Sequence, residues 1–184
     1  LDNFPVTKRD FTGKIRILLE GNSDDYYKNV DESFRIIEKL DKDKYEIYYL
    51  SYQGEPKKWY HVDKFLNKVP YDEVGRIYNS ADILIKSSIL ESFSYPPLEM
   101  MATGGIAIVA PNSGNAEYLV DGTNCLLYEP GNIDDAVRKI ESVCEDTNLR
   151  QRLIEGGLET AHARDWGTIE EEILNLYDMG GTDK

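Results

Sequence analysis

Two glutamates separated by seven residues, Glu91 and Glu99, are the side chains in this sequence best suited to chemistry. Paired carboxylates can supply the acid and the nucleophile or base of glycoside hydrolysis, where they flank the scissile bond. Carboxylates can also accept hydrogen bonds from sugar hydroxyls. We place Glu91 in a loop and Glu99 in the first turn of the next helix, where they would serve different parts of one ligand, which disfavours hydrolysis. A structural role for both glutamates stays open.

The segment between the glutamates predicts an anion site. Pro96 and Pro97 suit the start of a helix, and Ser94 is a candidate N-cap. The backbone amides of Phe93, Ser94 and Tyr95 would then point outward from the positive end of that helix. A phosphate bound there would lie beside a carboxylate that can hold sugar hydroxyls.

The sequence offers one lysine for such an anion, and it indicates no metal site. Lys28 follows Gly21 on a polar loop, but this loop lacks the second glycine and the Ser or Thr of a phosphate-binding P-loop. Cys125 and Cys144 lack metal-ligand spacing, and we interpret them as small buried thiols of a reducing compartment.

Short apolar runs separated by amphipathic patterns must position these residues. The runs are rich in branched side chains and do not alternate with polar residues, which is typical of strands buried on both faces. The predicted strands cover residues 15–19, 45–50, 62–66, 83–86, 106–110 and 126–128. The predicted helices cover 30–40, 72–79, 98–102 and 115–120, then a segment capped by Asn132, and finally a helix with a capping box of Thr168 and Glu171.

Strands that alternate with helices predict an α/β fold with a doubly wound parallel sheet of the Rossmann-like type. Ligands of such sheets bind at the carboxyl ends of the strands, where the loops 21–28, 87–99 and 111–117 lie. Residues 1–13 show no apolar periodicity, and we interpret them as a linker or frayed end. The domain is therefore expected to cover residues 14–184.

Charge and composition exclude several classes of protein. The 184 residues include 21 Lys and Arg against 34 Asp and Glu, which gives a formal net charge of −13. This balance disfavours nucleic acid and anionic lipid as partners, because each phosphate contact needs a local cation. No apolar run approaches the roughly 18 residues of a membrane span. We expect one globular, cytoplasmic domain, and the start at Leu1 suggests a piece of a longer protein.

Two stretches of the sequence resemble a known family. They read ADILIKSSILESFSYPPLEMMATGGIAIVA over residues 81–110 and NAEYLVDGTNCLLYEPGN over residues 115–132. With the paired glutamates, Glu117 and a late Trp166, they are similar to the C-terminal domain of the GT-B glycosyltransferases of family 4, the glycosyl transferases group 1. The resemblance extends from about residue 15 to residue 177.

The resemblance implies roles for individual residues. Glu99 matches the glutamate that holds the ribose hydroxyls of a nucleotide-diphosphate sugar, and Glu91 matches the catalytic-site glutamate beside the transferred sugar. The backbone of residues 93–95 matches the loop that contacts the sugar and diphosphate, and Lys28 matches a lysine that reaches the diphosphate. Gly21 and Ser88 complete the implied donor site, the first as the glycine after the first strand and the second as a serine after the strand that precedes Glu91.

The sequence departs from the family pattern at three positions. Asn22 stands where the family commonly has an arginine after the first strand's glycine, which removes one cation from the diphosphate site. Ser92 and Ser94 stand where the family has glycines around Phe93, which removes backbone freedom close to the sugar.

The resemblance also implies an activity, namely retaining transfer of a hexose from a nucleotide-sugar donor to a glycan or lipid-linked acceptor in polysaccharide biosynthesis. It implies no metal and no further cofactor. The acceptor domain would precede this chain, and any membrane contact would be made by that absent N-terminal domain. Two alternatives stay open: a nucleotide-sugar epimerase of the same fold, and a non-catalytic domain of a polysaccharide-assembly complex.

Overall fold

The computed structural model of the chain describes residues 3–179, and it is built around one six-stranded parallel sheet. The strand order is β3-β2-β1-β4-β5-β6, with every neighbouring pair parallel. This order confirms the doubly wound, Rossmann-like sheet. The strands are β1 Ile15–Glu20, β2 Tyr45–Ser51, β3 Lys64–Asn67, β4 Ile83–Lys86, β5 Ile106–Val109 and β6 Leu126–Leu127.

The described part of the chain contains six α-helices. They are α1 Val30–Glu38, α2 Tyr71–Ser80, α3 Tyr95–Ala102, α4 Ile133–Glu145, α5 Thr147–His162 and α6 Trp166–Met179. The predicted cap of α4 is confirmed, because the Asn132 side chain accepts a hydrogen bond from the amide of Asp135 at 3.0 Å. None of the helices within residues 3–179 is long and apolar enough to cross a membrane.

Successive strand residues point to opposite faces, and both faces are buried. Ile17 and Leu19 pack beneath α1 and α4, whereas Leu18 of the same strand packs beneath α2 and α3. The same division repeats in β4 and β5. Two apolar layers therefore enclose the sheet, which is why its strands lack the apolar-polar alternation of a one-sided sheet.

The helix predicted for residues 115–120 is wrong, since this segment forms consecutive turns. Two asparagine side chains bind backbone groups within or next to this segment. The Asn115 side chain accepts from the amide of Asn112 at 2.8 Å, and the Asn124 side chain bonds to both Val120 and Tyr118. Such local side-chain bonds compete with helix formation.

The capping box predicted for the last helix is also wrong. Helix α6 begins at Trp166, so Thr168 lies inside its first turn, and the Thr168 hydroxyl donates to the carbonyl of His162 at 3.3 Å. The side chain of Glu171 and residues 180–184 of the predicted domain lie outside the described part of the structure.

The residues before β1 contain no helix or strand, but they are not frayed in the described range. Phe4 is buried against Tyr78, and the amide of Thr7 donates to the carbonyl of Thr103 at 3.1 Å. Arg9 bonds to the C-terminal ends of both α2 and α3. This segment is held by burial and hydrogen bonds but has no apolar periodicity, which is why the sequence pattern indicated a loose end.

Both cysteines are free thiols, and only one of them is buried as predicted. Cys125 is completely buried, and this burial raises its pKa to about 12. Cys144 is half-buried, and its sulfur lies 3.6 Å from the Tyr45 hydroxyl oxygen.

Candidate functional site

The candidate site lies where the strand order reverses, between the carboxyl ends of β1 and β4. Glu20 is the last residue of β1 and Lys86 the last of β4, and these strands are neighbours in the sheet. The helices that follow the two strands leave on opposite faces, so a crevice opens at this point. The loops after both strands carry the predicted site residues.

Lys28 and Glu91 meet directly at this crevice. The ammonium group of Lys28 lies 2.9 Å from each of the two carboxylate oxygens of Glu91. A short 3-10 helix over Tyr26–Lys28 aims the lysine, and it is capped by the side chain of Asp25. Gly21 lies against this lysine, since a Cβ on Gly21 would come within 3.3 Å of the Lys28 side chain and 2.9 Å of Val30.

A second lysine, which the sequence analysis missed, holds the other side of Glu91. The side chain of Lys86 is fully buried, and its ammonium group donates to the Glu20 carboxylate and to the Glu20 carbonyl, the latter at 3.3 Å. Its distance to the nearer Glu91 carboxylate oxygen is 3.4 Å. A charged residue at the end of an otherwise apolar strand, ILIK, was the available signal, since an unpaired lysine is almost never fully buried.

The two lysines set the ionisation of Glu91. Burial by itself would raise the pKa of this carboxyl, but the charge of Lys86 and the hydrogen bond from Lys28 outweigh it and hold the pKa below the ordinary value. Glu91 is therefore a carboxylate at neutral pH, although only 11% of its side chain is exposed.

The pKa of Glu99 is shifted in the opposite direction to that of Glu91. Glu99 is the fifth residue of α3, which corrects the prediction that it lies in the first turn of the helix. Burial raises the pKa of Glu99, and the nearby charge of Glu20 raises it further, against a lowering hydrogen bond from Tyr78. The site thus combines a carboxylate of lowered pKa with one of raised pKa.

The start of α3 offers free backbone amides, as predicted, but Ser94 does not cap the helix. Ser94 occupies the N-cap position with φ of 67°, and its side chain makes no capping bond. Among the described residues its buried hydroxyl has no hydrogen-bond partner. Within the same range no group accepts a hydrogen bond from the amides of Phe93, Ser94 or Tyr95.

The remaining predicted residues line the loop with different degrees of access. Phe93 is half-buried against Tyr118, with ring centroids 5.2 Å apart, so its ring supports the loop from below. Tyr95 is exposed, and with Tyr71 and Glu99 it borders a cavity of about 350 Å³.

Ser88 is buried at the base of this loop. Its carbonyl accepts a hydrogen bond from the Asn112 side chain at 3.0 Å. The loop after β5 also lies against Glu91, since a Cβ on Gly114 would lie 2.0 Å from the Glu91 carbonyl oxygen. Only glycine fits at that position without moving the backbone.

Comparison with known proteins gives relatives in sequence and in structure. The chain is 27% identical over 120 residues to the glycosyltransferase MJ1607 of Methanocaldococcus jannaschii, covering 65% of this chain and 31% of that protein. The chain spans about a third or less of the length of curated relatives that it matches.

Solved structures share the fold at low sequence identity. The C-terminal domain of the group 1 glycosyl transferase LpcC of Francisella tularensis superposes with a TM-score of 0.68 at 19% identity, covering 89% of this chain and 88% of that one. Anabaena HepE in complex with UDP-glucose gives a TM-score of 0.76 at 16% identity, covering 92% of this chain and 50% of HepE.

The family model described as glycosyl transferases group 1 matches residues 8–160, which is most of the chain. The matched range contains the whole sheet and every predicted site residue. The chain therefore belongs to the glycosyl transferases group 1 family.

Proposed function

We propose that this chain is the donor-binding domain of a glycosyltransferase and that it holds a nucleotide-diphosphate sugar at the crevice between β1 and β4. The observation that carries the proposal is the Lys28–Glu91–Lys86 cluster beside the free amides at the start of α3. Cations and helix N-terminal amides bind phosphate, and carboxylates bind sugar hydroxyls. The related fold of HepE was solved with UDP-glucose, which supports this ligand class.

In this proposal the two glutamates contact opposite ends of the donor. Glu99 accepts hydrogen bonds from the ribose hydroxyls, and Glu91 lies beside the transferred sugar. The diphosphate binds to Lys28 and to the amides of residues 93–95, above Gly21 and Ser88. Lys28 and the amides of residues 93–95 present positive charge to the diphosphate, and we propose that binding requires no metal ion and no further cofactor.

The reaction we propose is transfer with retention of the sugar's anomeric configuration, to a glycan or lipid-linked acceptor in polysaccharide biosynthesis. The acceptor hydroxyl attacks on the face from which the diphosphate leaves, and the departing diphosphate takes the proton. An acceptor domain outside this chain is needed, and we propose a cytoplasmic location. NMR of the product formed by the full-length protein tests retention through the anomeric configuration.

The donor site is tested by thermal unfolding of this chain with UDP, GDP, dTDP, ADP and CMP, each with magnesium and with EDTA. Ligand at 100 times the dissociation constant stabilises by about 2.7 kcal/mol, which raises Tm by roughly 5 to 10 °C for a domain of this size. We expect one nucleotide to give this shift equally in magnesium and in EDTA.

The variant Glu99→Gln should weaken that nucleotide's affinity at least about tenfold, because a charged acceptor for the ribose is lost. Glu145→Gln is the matched control, because this substitution also replaces a glutamate by glutamine, at an exposed position at the end of α4. A chain that no nucleotide stabilises contradicts the donor site and favours the non-catalytic alternative. Sugar-nucleotide turnover without an acceptor would instead favour the epimerase.

A further inference from the structure

Glu91 is shared by two lysines that differ in their freedom to move. The Lys28 side chain is 31% exposed and stands on the short helix at the rim of the crevice. The Lys86 side chain is fully buried, and its ammonium group is bound to Glu20 at both the carboxylate and the carbonyl. One partner of Glu91 can therefore turn toward a ligand, whereas the other is fixed in the sheet.

The donor proposed above needs the same lysine that Glu91 occupies. The Glu91 carboxylate engages Lys28 through both oxygens, so an anion that enters the crevice must compete with Glu91 for that cation. Asn22, which follows Gly21 on the loop after β1, supplies no positive charge. An entering diphosphate must therefore take Lys28 away from Glu91.

We propose that Lys86 is a positioning residue that keeps the Glu91 carboxylate in place when a donor diphosphate takes over Lys28. This inference rests on the proposed function. With Lys28 withdrawn, the Lys86 ammonium group is the cation that remains within 3.4 Å of Glu91. Without Lys86, Glu91 would depend on Lys28 alone and would hold it against the diphosphate.

The charges at the crevice support different roles for the two lysines. Glu20 and Glu91 are balanced by Lys28 and Lys86 before the donor binds. A largely buried carboxylate that loses every cation carries a desolvation penalty. Lys86 prevents that penalty from opposing donor binding, and its own burial is possible because Glu20 pairs with it.

The proposal is tested by a double-mutant cycle on pyrophosphate affinity, measured by calorimetry on the whole chain. Pyrophosphate is the probe because it presents the diphosphate without a base or a sugar. We expect Lys86→Gln to weaken binding about tenfold and Glu91→Gln to strengthen it, because removing Glu91 releases Lys28. In the Glu91→Gln background, Lys86→Gln should change affinity by less than about twofold.

Equal weakening by Lys86→Gln in both backgrounds would overturn the proposal, because Lys86 would then act on the anion directly or only through the fold. No effect in either background would overturn it as well. The control Lys8→Gln removes an exposed lysine from the segment before β1 and should leave affinity unchanged. If Lys86→Gln fails to fold, the cycle is measured in the Glu20→Gln background, which removes the charge that would be left unpaired.

A spectroscopic readout separates positioning from a general structural role. The carboxyl ¹³C resonance of Glu91 is followed through a pH titration with pyrophosphate bound. Lys86 and Ser88 then face the carboxyl group, and Lys28 faces the pyrophosphate. The pKa of Glu91 should be higher in Lys86→Gln than in the wild type, and an unchanged pKa would overturn the proposal. If the wild type binds neither pyrophosphate nor any nucleotide, the proposed function has failed too, whereas binding with an additive cycle rejects the role of Lys86 alone.

Discussion

Asp82 binds Arg16 by three hydrogen bonds at the amino ends of β4 and β1. The fully buried Asp82 carboxylate accepts from the backbone amide of Arg16 at 2.9 Å and from its guanidinium group at 2.9 and 2.7 Å. The opposite ends of the same strands carry the Glu20–Lys86 pair. Ion pairs thus join these two strands at both ends, and the register between them positions the candidate site.

Asp82→Ala should destabilise the chain by about 3 kcal/mol, the lower end for breaking a buried pair, because Arg16 remains about one-third exposed. Urea unfolding followed by circular dichroism measures this loss. The control is Asp134→Ala, which breaks the exposed pair with Lys39 and should cost far less. Equal losses in the two variants would contradict the role of Asp82 in joining the strands.

Arg9→Met should destabilise the chain by about 2 kcal/mol, because it leaves buried helix-end carbonyls without donors. The Arg9 guanidinium group donates to Tyr78 at 3.0 Å, to Ala81 at 2.8 Å and to the Thr103 hydroxyl at 2.8 Å. Burial lowers the pKa of Arg9 to about 10, so it stays charged at neutral pH.

The loss in Arg9→Met is read from the urea midpoint and from faster proteolysis of the segment before β1. Lys8→Met is the matched control, since the neighbouring Lys8 is exposed. A similar loss in both variants would show that the charge of the segment matters and that the Arg9 contacts do not.

Most of the sheet could be predicted because buried parallel strands leave a strong local signal. Runs such as IRILL and IAIVA are apolar and branched on both faces, and the structure has strands at both. The turns at 113–118 could not be predicted in this way. Their hydrogen bonds depend on Asn115 and on Asn124, which lies beyond the segment, and a periodicity of apolar residues does not register such bonds.

The candidate site was predicted only where the residues form a local pattern. The spacing of Glu91 and Glu99 is visible in the sequence, whereas the contact of Lys28 with Glu91 joins residues 63 positions apart and was not predicted. The partners of Lys86 are Glu20 and Glu91, and Glu20 is 66 residues away along the chain. Such a pair depends on which strands are neighbours in the sheet, and secondary-structure propensities do not reveal that order.

Ser94→Gly should stabilise the chain by about 1 kcal/mol. A left-handed conformation costs a non-glycine residue about 1–2 kcal/mol, which is partly offset by the extra freedom of glycine in the unfolded chain. The substitution also removes a buried hydroxyl that has no hydrogen-bond partner among the described residues. Urea unfolding measures the gain.

Ser94→Ala separates the two contributions, because it removes the hydroxyl and keeps the side chain at φ of 67°. We expect Ser94→Ala to gain less than Ser94→Gly. If the alanine variant gains as much, the hydroxyl and not the backbone conformation is the source of the cost.

The raised pKa of Glu99 predicts that the folded chain loses stability as the pH rises. This pKa is raised in the folded chain, so folding favours the protonated form. The stabilisation is therefore fully present below the ordinary pKa of a glutamate, and it is lost as the pH rises through the higher pKa of the folded state. Glu99→Gln resembles the protonated form and should not show this loss.

The measurement is Tm from pH 4 to pH 8 for the wild type and Glu99→Gln. The difference between the two curves should grow in favour of the variant as the pH rises, because the wild type must then bury a carboxylate near Glu20. Parallel curves would contradict the raised pKa of Glu99. Because Glu91 has a lowered pKa, Glu91→Gln should show the opposite trend: the wild type gains on the variant as the pH rises from the lowered pKa to the ordinary glutamate pKa, and the difference is constant above it. For this variant the Tm series is therefore extended below pH 4.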